Sequence, residues 1–149
     1  MNDTSWQRRR ARRLTSLWLT LALTALPAAA SEGEAEYREH VMESIGGHMQ
    51  ATADILRQKV THQDHVRLHV NALADMAGIA HTLFPDGSEG GDALPDIWEN
   101  PDDFAAKLDA FQEAAAELRT TVNDGGDIGP AFQKLGQACK SCHDDYRDE

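Results

Sequence analysis

The feature that most constrains this chain of 149 residues is a pair of cysteines near its C-terminus, followed at once by a histidine. Cys139 and Cys142 are the only two cysteines in the sequence, and His143 comes directly after the second one. Because residues i, i+3 and i+4 of a helix share one face, the two thiols and the imidazole can address the same flat group. The spacing C-x-x-C-H is the signature of c-type haem attachment. The sequence therefore predicts one covalent haem c, held by two thioethers, with His143 as an iron ligand.

Other uses of the two cysteines fit this chain less well. A redox C-x-x-C is expected near a β-α-β pattern, and no segment here has the pattern of a parallel strand. A zinc site needs four ligands, so His143 and a distant histidine would have to complete it. A disulfide across a two-residue spacer within one helix would be strained. Haem attachment uses both thiols without these difficulties.

The first thirty residues have the three parts of a secretory signal peptide. Five arginines lie within residues 8–13, an apolar run follows at residues 14–26, and one proline and three alanines occupy residues 27–30. The apolar run is short for a membrane span, which favours cleavage after Ala30 over retention as an anchor. We therefore predict that residues 1–30 are a cleaved signal peptide of an exported, periplasmic protein.

The remaining residues 31–149 have the length of one domain and a strongly acidic composition. Residues 1–30 contain five of the 14 basic residues and one of the 25 acidic ones, which leaves nine against 24 and a formal charge of −15. Such a charge repels nucleic acid and anionic membranes. We expect neither as a partner after signal cleavage, whereas a redox partner protein would need a basic surface.

Apolar residues recur at helical spacing in four segments, so the sequence predicts an all-α, antiparallel four-helix bundle. A long connection rich in glycine and proline, residues 85–100, separates the second segment from the third. We expect it to be a crossover, with Trp98 pinned onto the bundle. The segments run from Ser31 to about Lys59, from Thr61 to Phe84, from Asn100 to Val122 and from Asp127 to Tyr146.

Each segment begins at a residue that can cap a helix: Ser31 with Glu34, Thr61 with Asp64, Asn100 before Pro101, and Asp127. Gly125 and Gly126 are expected to stop the third helix. That helix has the clearest apolar stripe, formed by Phe104, Leu108, Phe111, Ala115, Leu118 and Val122. On the fourth helix the two haem cysteines fall on the stripe itself, which predicts haem inside the bundle.

Several further residues, taken together with the C-terminal motif, resemble the cytochrome c′ family of exported haem-binding four-helix bundles. The most specific part is C-x-x-C-H followed at once by Asp-Asp-Tyr-Arg, which ends at Arg147. The likeness covers residues 31–149. Its other matches are Tyr37-Arg38, Met42 and Ile45-Gly46 in the first helix, and Phe84, the run from Gly87 to Asp92, and Trp98 in and before the connection.

The resemblance implies a homodimer through the first two helices and an iron that is five-coordinate. His143 would be the proximal ligand with Arg147 beside it, Met42 would lie over the iron on the distal side, and Arg38 would lie near the haem propionates. Each arginine has another explanation: Arg147 at a helix C-terminus satisfies the helix dipole, and Arg38 could be a solvated charge among glutamates. Leu68 and Ile79 lie outside the main stripes, so a second contact surface is expected there.

The function implied is that of a periplasmic cytochrome that binds diatomic gases, nitric oxide and carbon monoxide, and so takes part in nitric oxide handling. An apolar distal pocket with Met42 and Ile45 offers few donors, which suits neutral ligands. The alternative is a low-spin electron-transfer cytochrome with Met42 as sixth iron ligand, since methionine ligation raises the potential. No catalytic residue is predicted, because the first helix shows no distal acid–base residue. A peroxidase-like or gas-detoxifying activity stays open.

Three histidines on the flank of the second helix follow the spacing H-x2-H-x3-H: His62, His65 and His69. This spacing could bind a transition metal. Surface histidines without a carboxylate or cysteine partner are more often incidental, so no metal is assigned to them. His48 and His81 flank the stripes of their helices and receive no role.

Overall fold

The computed structural model describes residues 26–148, with side chains from Glu32 onwards. Most of the predicted signal peptide, residues 1–25, lies outside the described residues. The first helix, α1, spans Leu26–Leu56 and therefore runs through Ser31 without a break. The predicted capping box at Ser31 is wrong for the full-length chain, because the backbone is already helical five residues earlier.

Four long helices and one short helix make up the described part of the chain. The two isolated bridges, Gly90 with Ala93 and Ala93 with Arg147, are its only extended pairings. After α1 come a 3-10 turn at Gln63–His65, α2 at Val66–Ala77, a 3-10 turn at Ala80–Thr82, α3 at Asp96–Glu99, α4 at Pro101–Asn123 and α5 at Ile128–Tyr146. None of the helices described is long and apolar enough to span a membrane.

The four long helices pack in chain order, α1 on α2, α2 on α4 and α4 on α5, which confirms the predicted four-helix bundle. Three leucines are fully buried at its centre, one from each of the last three long helices: Leu73, Leu118 and Leu135. From α1, Ile45 joins this core. Burying such side chains stabilises the bundle by about 1.5–3 kcal/mol each.

The second helix is shorter than predicted at both ends. Its first turn is a 3-10 turn capped by no side chain, so the proposed cap at Thr61 is wrong. Gln63 explains the difference, because its Nε2 donates to the carbonyl of Ile55 at 3.2 Å and thereby closes the end of α1. At the other end, Gly78 follows α2 directly. Glycine is a poor helix former, and Phe84 consequently lies in the connection.

The last two long helices match the prediction closely. All six stripe residues of α4 are buried. Asp127 caps α5 by accepting from the backbone N–H of Gly129 at 3.0 Å. Asn100 occupies the N-cap position of α4, yet its side chain donates to the carbonyl of Asp96, the first residue of α3. Gly125 follows α4 with φ of 74°, a conformation that favours glycine.

Candidate haem site

A cavity of about 610 Å³ lies between α1, α4 and α5, where the bundle is open. Cys139, Cys142 and His143 line it from α5, and Met42, Ile45 and Met49 line it from α1. The imidazole of His143 and the thioether of Met42 therefore line the cavity from different helices. A volume in this range suits a bound cofactor or a drug-sized molecule.

The two thiols are partly buried and form no disulfide with each other. Burial raises the pKa of both, and for Cys142 the neighbouring Cys139 adds to the effect, which brings its pKa to about 11. Both therefore carry their protons at neutral pH. A zinc site or a redox C-x-x-C motif needs thiolates, and its surroundings lower the pKa values of its cysteines instead of raising them. Neutral thioethers suit the same buried positions.

His143 lies in the last turn of α5 and is exposed on the open side of the cavity. Loss of solvation on its inner side lowers the pKa of the imidazole, the charge of Arg147 lowers it further, and Asp144 opposes both. The ring is therefore neutral at pH 7. Neutral imidazole is the form that binds a metal.

Lys107 of α4 holds the spacer between the two cysteines. Its Nζ donates to the Oγ of Ser141 at 2.9 Å and to Oδ2 of Asp145 at 2.7 Å. The hydrogen bond with Asp145 raises the pKa of Lys107, which stays charged. Sequence reasoning missed this clamp, because Ser141 and Asp145 lie 34 and 38 residues from Lys107 along the chain.

Tyr146, the last residue of α5, lines the cavity one helical turn after Cys142. Its hydroxyl donates to Oδ2 of Asp103 at 2.7 Å, and its ring meets that of Phe104 edge to face, with centroids 5.0 Å apart. The hydrogen bond to Asp103 raises the pKa of Tyr146 to about 12. The tyrosine therefore remains a neutral donor and a fixed part of the wall.

Arg147 joins the end of α5 to the glycine-rich connection. Its Nη2 forms an ion pair with Oδ2 of Asp92 at 3.0 Å. Two backbone hydrogen bonds join the same two segments. The N–H of Leu94 donates to the carbonyl of Tyr146 at 3.1 Å, and the N–H of Asp148 donates to the carbonyl of Asp92 at 2.9 Å. These contacts place Arg147 on the cavity wall with His143, one helical turn away.

Arg38 is buried, with 4% of its surface exposed, so the alternative of a solvated charge is wrong. Its guanidinium donates to the carbonyls of Ser88 at 3.0 Å, Gly90 at 2.9 Å and Leu83 at 3.3 Å. It also lies over the ring of Phe84, 5.1 Å from the centroid. Burial lowers the pKa of Arg38, while two glutamates on α1 oppose the shift. Arg38 thus holds the connection and lines the cavity; its contact with propionates stays a prediction.

Trp98 packs on the core as expected for a residue that pins the connection. Its Nε1 donates to the carbonyl of Pro85 at 3.2 Å, so the tryptophan also ties the two ends of the connection together. The ring lies 5.9 Å from the guanidinium of Arg38. One cation and two aromatic rings therefore hold the segment that borders the cavity.

The histidines of the H-x2-H-x3-H pattern do not come together. His62 stacks on His65 with ring centroids 4.8 Å apart, whereas His69 turns to His48 of α1. His81 pairs with Asp109 at 2.9 Å. In the part of the chain that the structure covers, no group of three or more metal-binding side chains converges.

The residues of the cavity fit haem c. Two neighbouring neutral thiols would hold it, a neutral imidazole follows them by one residue, and the opposite wall is apolar. The fold and the site thus define a c-type haem protein built on a four-helix bundle. A family model described as Cytochrome C' matches residues 34–147, and the chain belongs to this family, whose members carry covalently bound haem c.

Individual relatives agree with this assignment. Cytochrome c-556 of Agrobacterium tumefaciens (strain II Chrys) is 42% identical, with 77% of this chain and 97% of the relative covered. Cytochrome c-554 of Cereibacter sphaeroides is 33% identical over 93% and 99% of the two chains. A variant of cytochrome c′ from Alcaligenes xylosoxidans, solved as a nitric oxide complex, superposes with a TM-score of 0.74 at 27% identity, covering 80% of this chain and 97% of its own.

Proposed function

We propose that the protein binds diatomic gases, nitric oxide and carbon monoxide, at a five-coordinate haem in the periplasm, and thereby handles nitric oxide. The observation that carries the proposal is the wall of the cavity opposite the haem-binding helix. Met42, Ile45 and Met49 form it from α1, while Glu39 and Glu43 are exposed at its edge. The solved relative with bound nitric oxide supports the same function.

Each side chain has a part in this proposal. Cys139 and Cys142 would hold the haem, and His143 would bind its iron from the side of α5. When bound, the haem would supply the iron that takes up a neutral diatomic ligand. The apolar side chains of this wall offer few hydrogen-bond donors, so they favour ligands that need none. Arg147 beside His143, and Arg38 toward the propionates, would orient the haem. The proposed function is binding, and no catalytic residue is assigned.

The absorption spectrum of the ferrous, haem-loaded protein tests the proposal. We expect a high-spin spectrum that changes on titration with carbon monoxide, with one gas molecule bound per chain. His143→Ala should keep the haem attached through both cysteines while the spectrum of the iron changes. A spectrum that does not respond to carbon monoxide would overturn gas binding. An unchanged spectrum in His143→Ala would overturn the assignment of the proximal ligand.

A second candidate function is electron transfer, with Met42 as the sixth iron ligand. One observation favours it: Met42 lines the same cavity as His143, from a different helix. Glu39, Glu43 and Asp92 at the cavity would then face a redox partner with a basic surface. A low-spin resting spectrum would favour this function over gas binding.

Export and association complete the proposal. Cleavage after Ala30 would free Ser31 to cap a helix that begins there, as the capping signal predicts. The mass of the mature protein, heavier than its peptide by one haem, checks both cleavage and attachment.

We further propose a homodimer through α1 and α2. Leu68 on α2 and Ile79 just after it expose 63% and 39% of their surface, which leaves apolar side chains for a second contact. Light scattering that showed a monomer would contradict the dimer.

A further inference from the structure

Two imidazoles join α1 to α2 at a place that does not line the haem cavity. The Nδ1 atoms of His48 and His69 lie 2.9 Å apart, and both side chains are partly buried. Their ring centroids are 5.2 Å apart, with the ring planes tilted by 55°. The sequence gives no direct sign of this pair, because the two histidines are 21 residues apart and on different helices.

The short contact fixes the charge that the pair can hold. Two ring nitrogens at this distance need one N–H and one lone pair between them, so they cannot form this contact as two imidazolium ions. Burial lowers the pKa of His69, and the neighbouring His48 and His65 add to the effect. His69 is therefore largely neutral at pH 7, which is the ligand form of histidine.

The separation of the nitrogens also matches a particular kind of metal. Imidazole nitrogens bind such ions at about 2.0–2.1 Å, so two of them held 2.9 Å apart subtend about 90° at a shared ion. A tetrahedral zinc ion would need about 3.3 Å between the same atoms. An angle near 90° is the cis angle of the square-planar or tetragonal sites that hold Cu(II) and Ni(II).

We propose that His48 and His69 form a two-histidine site for a tetragonal divalent transition metal, Cu(II) before Ni(II), between α1 and α2. On binding, the ring that donates its Nδ1–H carries that proton on Nε2 instead, so both Nδ1 lone pairs face the ion. Water fills the remaining positions. The site lies outside the haem cavity, and it uses only His69 of the H-x2-H-x3-H pattern, since His62 and His65 stack on each other.

Titration calorimetry with Cu(II) at pH 7 tests the site on the ferric, haem-loaded protein, in which the haem cannot reduce the metal. We expect one tight ion per chain. His48→Ala and His69→Ala should each weaken binding about tenfold or more, because a single imidazole loses the chelate. The double variant should bind no more tightly than either single one. His62→Ala, an exposed histidine near the same end of α2, is the matched control and should bind as the wild type does.

Equal Cu(II) affinity in His48→Ala and the wild type would overturn the site, as would a loss in His62→Ala as large as that in His69→Ala. His69→Gln serves if His69→Ala fails to fold, since the amide keeps a hydrogen bond but lacks a ring nitrogen for the metal. Thermal unfolding gives an independent readout with Ni(II). Because the ion joins two helices only in the folded state, Ni(II) should raise the Tm of the wild type and leave that of His69→Gln unchanged. A Tm of the wild type that does not respond to Ni(II) would contradict the proposal.

Discussion

At the scale of single residues, Met42 is the side chain on which the two candidate functions differ. It is partly buried on α1 and lines the cavity that His143 borders from α5. A thioether is both a flexible apolar group that can crowd an open iron position and a soft ligand that can close it. The two possibilities require opposite results of one substitution.

Met42→Ala should strengthen carbon monoxide binding by about tenfold, which corresponds to about 1.4 kcal/mol, while the resting protein stays high-spin. The reason is that an incoming gas no longer displaces the side chain. Carbon monoxide titration of the ferrous protein measures the change. Met49→Ala is the control, because Met49 lines the same cavity two turns further along α1. A low-spin resting spectrum that becomes high-spin only in Met42→Ala would exclude gas binding in favour of electron transfer.

At the scale of secondary-structure elements, local signals were enough for α4 and α5 and for the haem motif. Asp127 lies next to the turn that it caps, and Cys139, Cys142 and His143 occupy one helical turn, so spacing alone predicts them. The contacts of Arg38 could not be predicted in this way. They join residues 45 to 52 positions apart and depend on how the connection folds back over α1. The start of α2 was missed for a similar reason. The side chain of Gln63 bonds to the carbonyl of Ile55, eight residues earlier, and this contact is not visible in the local sequence pattern.

The connection itself is held by two arginines in unlike surroundings. Arg38 is buried and bonds to three carbonyls, and it also donates to the Oγ of Ser88 at 3.2 Å. Arg147 and Asp92 form an ion pair in which both side chains are more than half exposed. Removing Arg38 leaves several buried acceptors without a hydrogen-bond partner. Removing Arg147 exposes Asp92 to water, which can take the place of the lost ion pair.

Arg38→Ala should therefore lower the free energy of unfolding by about 2–4 kcal/mol, and Arg147→Ala by less than about 1 kcal/mol. Urea unfolding followed by circular dichroism measures both on the haem-loaded protein. Arg38→Lys should recover little of the loss, because a single ammonium cannot span the carbonyls of Ser88 and Gly90. Equal losses in the two alanine variants would show that the buried hydrogen bonds do not hold the connection.

At the scale of the whole molecule, α1 faces a different partner on each side. One side borders the haem cavity through Met42 and Met49, and the other packs on α2. His48 precedes Met49 directly and bonds to His69, so the α1–α2 interface contains a titratable contact beside the cavity wall. Its protonation state therefore affects how firmly α1 is held in the bundle.

The stability of the bundle should accordingly depend on pH through His69. Its pKa in the folded protein lies below the ordinary value of 6.5, because burial and the nearby His48 and His65 disfavour the charged ring. The unfolded chain thus takes up the proton first as the pH falls. The contribution of His69 is fully present above about pH 6.5 and is lost as the pH falls from there through its folded pKa.

Urea unfolding at a series of pH values between about 7.5 and 5 should show stability decreasing with acidification in the wild type. His69→Gln should flatten that slope, because the amide does not titrate, while His62→Gln, exposed at the start of α2, should keep it. A slope that is the same in His69→Gln as in the wild type would show that the contact between the two imidazoles does not couple the pH to the packing of α1 on α2.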